Sequence, residues 1–252
     1  MVYLAAALCA AVGVSVRASS WLTAGIALLG VGALVHGAAM WRIHARDPVP
    51  QVTDLPFAVS VMAWIGTLAF LALLPFVRGR GLAVAVAPLS FLGVVFAALG
   101  FESRMVVTDP HPFWSHVHVL LASGGLAVLG IAGAAGILYL VHHAALKSKR
   151  RGSPHSALPS LETLDRVNAL SLALGFLLLS LGLLTGVLWV DARGGELWAS
   201  RHAVATLLAW VTYAAIVVVR FARPRTARSS AAGSAAAFGI LVVAVIGIEV
   251  LA

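Results

Sequence analysis

The residues of this sequence best suited to chemistry are its nine histidines, because neutral imidazole is a good ligand for transition metals. His118 and His202 each open a long apolar run, and His36 lies five residues before the end of another at Trp41. No apolar run carries an Asp, Glu, Lys or Arg near its middle. A pump that relays protons through buried carboxylates is therefore not expected.

The single cysteine, Cys9, narrows the kinds of site that the sequence can build. One cysteine excludes an intramolecular disulfide and any zinc or iron-sulfur site made from several cysteines. The sequence also lacks a CxxCH motif for covalent haem attachment. The chain is therefore not itself a c-type cytochrome.

The composition is that of a membrane protein. Hydrophobic residues make up 61% of the 252 positions and charged residues only 10%, well below the roughly 25% typical of soluble domains. The net charge of +8 then has to be interpreted by its position along the chain and not as a nucleic-acid surface. We expect one transmembrane domain over residues 1–252, with no separate soluble domain.

A helix needs about 20 mostly apolar residues to cross the hydrocarbon core of a bilayer, and the sequence contains eight runs of about this kind. They predict an all-α polytopic membrane protein, a bundle of about eight transmembrane helices, with the first four in residues 1–100. The runs are approximately Val2–Val16, Trp21–Trp41, Pro56–Val77, Leu82–Gly100, His118–His143, Val167–Val190, His202–Arg220 and Ala231–Leu251.

The distribution of positive charge predicts the orientation. Twelve of the seventeen Lys and Arg residues fall in the first, third, fifth and seventh loops, which are therefore cytoplasmic. Both termini are then on the outer side of a bacterial inner (cytoplasmic) membrane. The basic stretch KSKRRGSPHSALPSLETLD has no interleaved aromatic residues, so it predicts contact with anionic lipid and not with nucleic acid.

This orientation brings histidines of three spans to the outer side. His36 is expected roughly 7 Å below the outer interface, and His118 and His202 begin inward-running helices at equal depth. That shared depth favours the pair as ligands, although an isolated interfacial histidine more often only hydrogen-bonds or snorkels. His142 and His143 are assigned to the basic cytoplasmic anchor, whereas His44 and His111 lie in loops with nothing around them to define a site.

Tryptophans follow the same outer side. Trp114 and Trp198 lie near the outer loops with two others, Trp41 and Trp189, whereas Trp21 lies at the opposite interface. An ordinary aromatic belt explains tryptophans at membrane interfaces. A flat aromatic shelf that covers a porphyrin is the alternative, and the sequence leaves both open.

From His111 onward the chain resembles the cytochrome c assembly superfamily, the membrane haem-handling proteins of the CcsA, ResC and CcmC types and the eight-span HemX and YpjD-like types. In HPFWSHVHVLLASGGLAVLGIAGAAGILYL, Trp114 precedes His118 by four residues, as in the family segment. LPSLETLDRVNALSLALGFLLLSLGLLTGVLW ends in a similar Thr-Gly-x-x-Trp motif. We expect residues 111–252 to form the part of the chain that is like cytochrome c assembly proteins.

Two further stretches resemble family segments, and one of them also departs from the family pattern. DARGGELWASRH stands where the family has a tryptophan-rich motif, WGxxWxWD in full form, but only Gly195 and Trp198 match it. Ser200 and Arg201 replace the second Trp and the Asp. RHAVATLLAWVTYAAIVVVR resembles the helix of the YpjD-like branch that His202 would lead. The resemblance is therefore closest to the HemX and YpjD-like branch.

The resemblance implies a haem-binding or haem-handling protein of cytochrome c-type biogenesis, that is, cytochrome complex assembly, and not an enzyme. His118 and His202 would ligate the iron of non-covalent haem b, with His36 as a third candidate. Trp198 and Trp114 would cover the ring. Arg201 or Arg193 would pair with a propionate. Expected partners are membrane lipid and other cytochrome c maturation membrane proteins.

Three alternatives stay open at this point. A regulatory or assembly scaffold of the HemX or YpjD-like type that has lost haem binding would explain the incomplete tryptophan motif. A transmembrane electron-transfer cytochrome b is disfavoured. Its two stacked haems need ligands closer together on one helix, whereas His118 and His142 are 24 residues apart, about 36 Å along a helix. A carrier of a neutral solute remains compatible with an Ala- and Gly-rich bundle.

Overall fold

The computed structural model describes residues 1–45, 53–100, 112–147, 158–192, 194, 201–222 and 226–250. Within these ranges, side chains are described except at 112, 201, 202 and 244–250. The described part of the chain is helical and contains no β-strand. The predicted all-α class is therefore confirmed.

Eight α-helices correspond one to one to the eight predicted runs, with a short 3-10 turn at Arg80–Leu82 before the fourth. Six of them are long and apolar enough to cross a bilayer, whereas α1 and the part of α8 over Ala227–Val243 are apolar but shorter. The helices are α1 (Val2–Ser15), α2 (Ser19–His44), α3 (Leu55–Leu73), α4 (Ala83–Leu99), α5 (Pro112–Lys147), α6 (Leu161–Ala192), α7 (Arg201–Ala222) and α8 (Ala227–Val250).

The surface around the sides of the helix bundle is apolar, as contact with lipid requires. Large side chains such as Leu34, Leu188 and Val243 are well exposed although they lie within helices. Soluble monomers rarely expose contiguous apolar surface of this extent. With the six spanning helices, this surface establishes a multi-pass membrane protein.

Several helices are longer than the predicted runs, and α5 and α6 exceed them most, which changes the position of His118 within its helix. The apolar runs end with the hydrocarbon core, but a helix can continue into the interface through the polar residues that flank its run. Accordingly α5 has 36 residues and α6 has 32. Because α5 begins at Pro112, a residue type favoured in the first helical turn, His118 lies in the second turn and does not open the helix as predicted.

The centre of the bundle is α5, which packs against α6, α8 and α3. The α5–α6 contact depends on small residues at heptad-like spacing. A β-carbon added at Gly125 would lie 2.5 Å from the Leu179 backbone nitrogen, and one at Gly182 would lie 2.6 Å from that of Ala122. The two backbones approach so closely that only glycine fits at these positions, as is common between transmembrane helices.

Contacts between helix termini define two ends of the bundle. At one end, the start of α5 meets the end of α6 through His118 and Gly182, and the end of α2 through His116. At the other, the start of α6 meets the end of α7 through an ion pair between Asp165 and Arg220, 2.9 Å apart. We call these the outer end and the cytoplasmic end, following the orientation predicted from the basic loops.

Candidate functional site

His118 is held in one defined tautomer. Its Nδ1 lies 2.8 Å from the backbone carbonyl oxygen of Gly182 on α6. A carbonyl can only accept a hydrogen bond, so Nδ1 carries the proton and donates it. The lone pair of Nε2 is therefore left for a ligand. Metal-binding histidines are typically oriented in this way by a backbone carbonyl or carboxylate.

Two residues of α6 shape the space around that imidazole. A β-carbon at Gly186 would lie 2.8 Å from both Nδ1 and Cε1 of His118, so the absence of a side chain at Gly186 makes room for the ring. The indole of Trp189 lies parallel to the imidazole, with 6.2 Å between the ring centroids and 11° between the planes. The ring of His118 is thus bounded on one side by glycine and stacked on tryptophan.

The same turn of α6 also contributes a hydroxyl. Thr185 Oγ1 lies 2.9 Å from the Leu181 carbonyl and 3.0 Å from the Gly182 carbonyl, within hydrogen-bond distance of both. Thr185, Gly186 and Trp189 are the conspicuous residues of the Thr-Gly-x-x-Trp stretch. The sequence showed that stretch as a pattern, and the structure places it around His118.

His36, the third predicted ligand, lies at the outer end but is fully engaged within the protein. Its Nε2 is 2.8 Å from Ser60 Oγ on α3, and its Nδ1 is 3.3 Å from the hydroxyl of Tyr3 on α1. Only 9% of the residue is exposed. Ligation of a metal by His36 would have to replace one of these hydrogen bonds.

The remaining predicted site residues are only partly described. Trp114 lies in the first turn of α5 and packs edge-to-face against Phe113, with ring centroids 5.4 Å apart. Arg201 and His202 are the first two residues of α7, and their side chains are not among those described. Trp198 and Arg193 lie outside the described residues. The pairing of His118 with His202 thus stays a prediction.

A second pair of histidines at the outer end was not anticipated. His44, the last residue of α2, packs edge-to-face on His116 of α5, with 5.1 Å between ring centroids. The sequence predicts a loop at His44 and gives no sign of this contact, because the two histidines are 72 positions apart. Among the described residues, no three His, Cys, Asp or Glu side chains are grouped to hold a metal ion.

The sequence model of a family described as "Cytochrome C assembly protein" matches residues 32–252, a range that runs from the middle of α2 to the end of the chain and includes His36, His118 and His202.

Several proteins that are similar in sequence are named as cytochrome c biogenesis proteins. A cytochrome c biogenesis protein CcsA of Prochlorococcus marinus (strain MIT 9313) is 25% identical over 231 residues, covering 79% of this chain and 73% of that protein. The CcsA protein of Thermosynechococcus vestitus is 31% identical over 91 residues, which cover 36% of this chain and 28% of that protein. That of Chlamydomonas reinhardtii is 23% identical over 192 residues, 73% of this chain and 52% of its own.

Proposed function

The chain belongs to the cytochrome c assembly protein family and takes part in cytochrome c-type biogenesis, and we propose that it does so by binding haem b non-covalently at the outer end of the bundle. In this proposal the chain holds or hands over haem and catalyses no turnover. Its location is the bacterial inner membrane, where other cytochrome c maturation proteins would be its partners.

The observation that carries the proposal is the environment of His118. The hydrogen bond from Nδ1 to the Gly182 carbonyl fixes the neutral tautomer, in which Nε2 would be available to hold an iron. Gly186 leaves space for the imidazole of His118, and the parallel indole of Trp189 limits the rotation of that imidazole. A histidine whose only function is to snorkel to the interface would need none of these three features.

The other ligands are assigned by their position in the chain. We propose His202, the second residue of α7, as the other residue that would hold the iron. Trp198 and Trp114 would cover the porphyrin, and Arg201 or Arg193 would donate hydrogen bonds to a propionate. When bound, haem would supply an iron that accepts imidazole nitrogens.

His36 is retained as a weaker candidate for a third ligand. Its ring is buried between α1 and α3 and already makes two hydrogen bonds. Those contacts support an alternative function, which is to fasten α2 to its neighbours.

A second candidate function is a regulatory or assembly scaffold that has lost haem binding. The observation that favours it is the substitution of Ser200 and Arg201 for the second Trp and the Asp of the tryptophan motif. Such a scaffold would keep the bundle but show no haem spectrum. The experiment below separates the two functions.

The test is a reduced-minus-oxidised visible spectrum of the full chain purified in mild detergent from haem-supplied cells. Our proposal expects a b-type spectrum for the unchanged chain and at least a tenfold loss of bound haem in His118→Ala. His202→Ala should lose a similar amount. The matched control is His44→Ala, which removes an imidazole at the same end whose ring packs on His116.

Two outcomes would overturn the proposal. A featureless spectrum from well-folded, haem-supplied protein would leave the scaffold function. A double variant, His118→Ala with His202→Ala, that kept the spectrum of the unchanged chain would show that other residues bind the haem.

A further inference from the structure

A pocket with a cationic rim lies at the opposite, cytoplasmic end, between the end of α5 and the start of α8. Its volume is about 560 Å³, within the roughly 300–1,000 Å³ of typical organic-ligand sites. It is lined by Leu140, His143, Ala144 and Lys147 of α5 and by Arg228 of α8. Two basic side chains and an imidazole from two helices thus line one opening.

The cations of this pocket have no anionic partner in the part of the chain that the structure describes. The one ion pair found there joins Arg220 to Asp165. Lys147 and Arg228 are both exposed, so their charges are directed to the interface and not into the core. His143 is half-buried and stacks on Tyr139 one turn earlier, with ring centroids 6.1 Å apart and 18° between planes. That stacking holds the imidazole at the rim.

The wall beneath the charges is apolar. Leu140 and Ala144 form it together with the methylene stems of the lysine and arginine. A small inorganic anion would gain nothing from such a wall. A molecule with an anionic head and an apolar body matches both parts of the pocket.

We propose that this pocket binds the phosphodiester headgroup of an anionic phospholipid from the cytoplasmic leaflet. Lys147 and Arg228 clamp the phosphate between α5 and α8, and a His143 nitrogen donates a hydrogen bond to a phosphate or glycerol oxygen. Basic pockets between transmembrane helices on this side of a membrane bind such headgroups elsewhere. The bound lipid would tie α8 to the central helix. This proposal does not depend on haem binding, which lies at the other end.

The experiment is a titration of the full chain in mild detergent with phosphatidylglycerol or phosphatidylcholine, with bound lipid counted by mass spectrometry of the intact complex. We expect one tightly bound phosphatidylglycerol and no equivalent phosphatidylcholine. The double variant Lys147→Gln with Arg228→Gln should bind phosphatidylglycerol at least about tenfold more weakly, because each basic residue near an anionic surface contributes about 1 kcal/mol.

The matched control removes two charges from the same end outside the pocket. Arg78→Gln with Arg80→Gln changes two exposed arginines between α3 and α4 and should leave the lipid affinity unchanged. An equal loss in both double variants would indicate only general charge attraction and would overturn the site. So would unchanged binding in the pocket variant.

Two further measurements complete the test. Inorganic phosphate is added as a competitor, and displacement of phosphatidylglycerol by phosphate at equal concentration would make the pocket a free-anion site and refute the lipid. If the double variant fails to fold, Lys147→Gln and Arg228→Gln are measured singly. Each should weaken binding about fivefold, and a single variant with full affinity would exclude its residue from the clamp.

Discussion

At the scale of single residues, the neighbours of an imidazole decide which of its nitrogens can meet a ligand. Nδ1 of His118 donates to the Gly182 carbonyl, so Nε2 is its unprotonated nitrogen. His36 uses both ring nitrogens within the protein. His142 is buried at the cytoplasmic end, where its Nδ1 lies 3.1 Å from the carbonyl of Pro159 and ties the end of α5 to the segment before α6.

The space for His118 can be tested at Gly186. We expect Gly186→Ala to reduce bound haem by about tenfold, because the new methyl group would lie 2.8 Å from the imidazole and displace it. The measurement is the visible difference spectrum at equal protein concentration. Gly30→Ala is the matched control, since nothing lies within 4 Å of a β-carbon there. If both glycine variants bound haem equally, Gly186 would have no effect on the site.

At the scale of helices, the α5–α6 pair is the unit that positions the site. Glycines at positions 125, 175 and 182 bring the two backbones into contact, and each would meet a backbone nitrogen if it carried a β-carbon. The same approach brings the Gly182 carbonyl within reach of His118. Asn168 strengthens the pair, because its Nδ2 donates to the Ala132 carbonyl at 2.8 Å and its Oδ1 accepts from Ser230 of α8.

A leucine in that contact should separate the two helices. For Gly125→Leu we expect a loss of about 3 kcal/mol of stability, because the added carbons would overlap the backbone of α6 at Leu179. Thermal unfolding in detergent, followed by circular dichroism, provides the measurement. Gly30→Leu adds the same side chain to an open surface of α2 and should unfold like the unchanged chain. Equal melting temperatures for the two variants would contradict the close approach.

At the scale of the whole molecule, the bundle has two chemically different ends. The outer end holds the histidine and tryptophan side chains around α5 and α6, and the cytoplasmic end holds the basic pocket of Lys147 and Arg228. Which end faces which compartment depends on the excess of Lys and Arg in alternate loops. The proposed haem site requires the end with His118 to face outward, and the proposed lipid site requires the end with Lys147 and Arg228 to face the cytoplasm.

The orientation can be measured by cysteine labelling in a Cys9→Ser background, since Cys9 is the sole cysteine of the chain. Ala192→Cys at the end of α6 and Ala222→Cys at the end of α7 introduce the same residue at exposed positions. A membrane-impermeant maleimide should label Ala192→Cys in intact cells and Ala222→Cys only after permeabilisation. The reverse pattern would place His118 on the cytoplasmic side and exclude an outer haem site.

The membrane architecture could be predicted from the sequence alone. Hydrophobic run length is a local property, so eight runs predicted eight helices, with ends correct to within a few residues for α1, α2, α4 and α7. The runs underestimated α5 and α6, because the polar residues that flank each run, mostly on its N-terminal side, extend the helix beyond the lipid. The sequence also showed His118 as a residue of interest, from its type and its position beside an apolar run.

The surroundings of His118 could not be predicted from the sequence, because they come from contacts between distant parts of the chain. Its tautomer depends on a carbonyl 64 residues away in sequence, and its space depends on Gly186, whose lack of a side chain carries no chemical signal of its own. The contact of His44 with His116 and the pocket that joins Lys147 to Arg228 arise in the same way. Helix length and sidedness follow from a residue's neighbours in sequence, whereas hydrogen bonds, close approaches and converging charges follow from its neighbours in space.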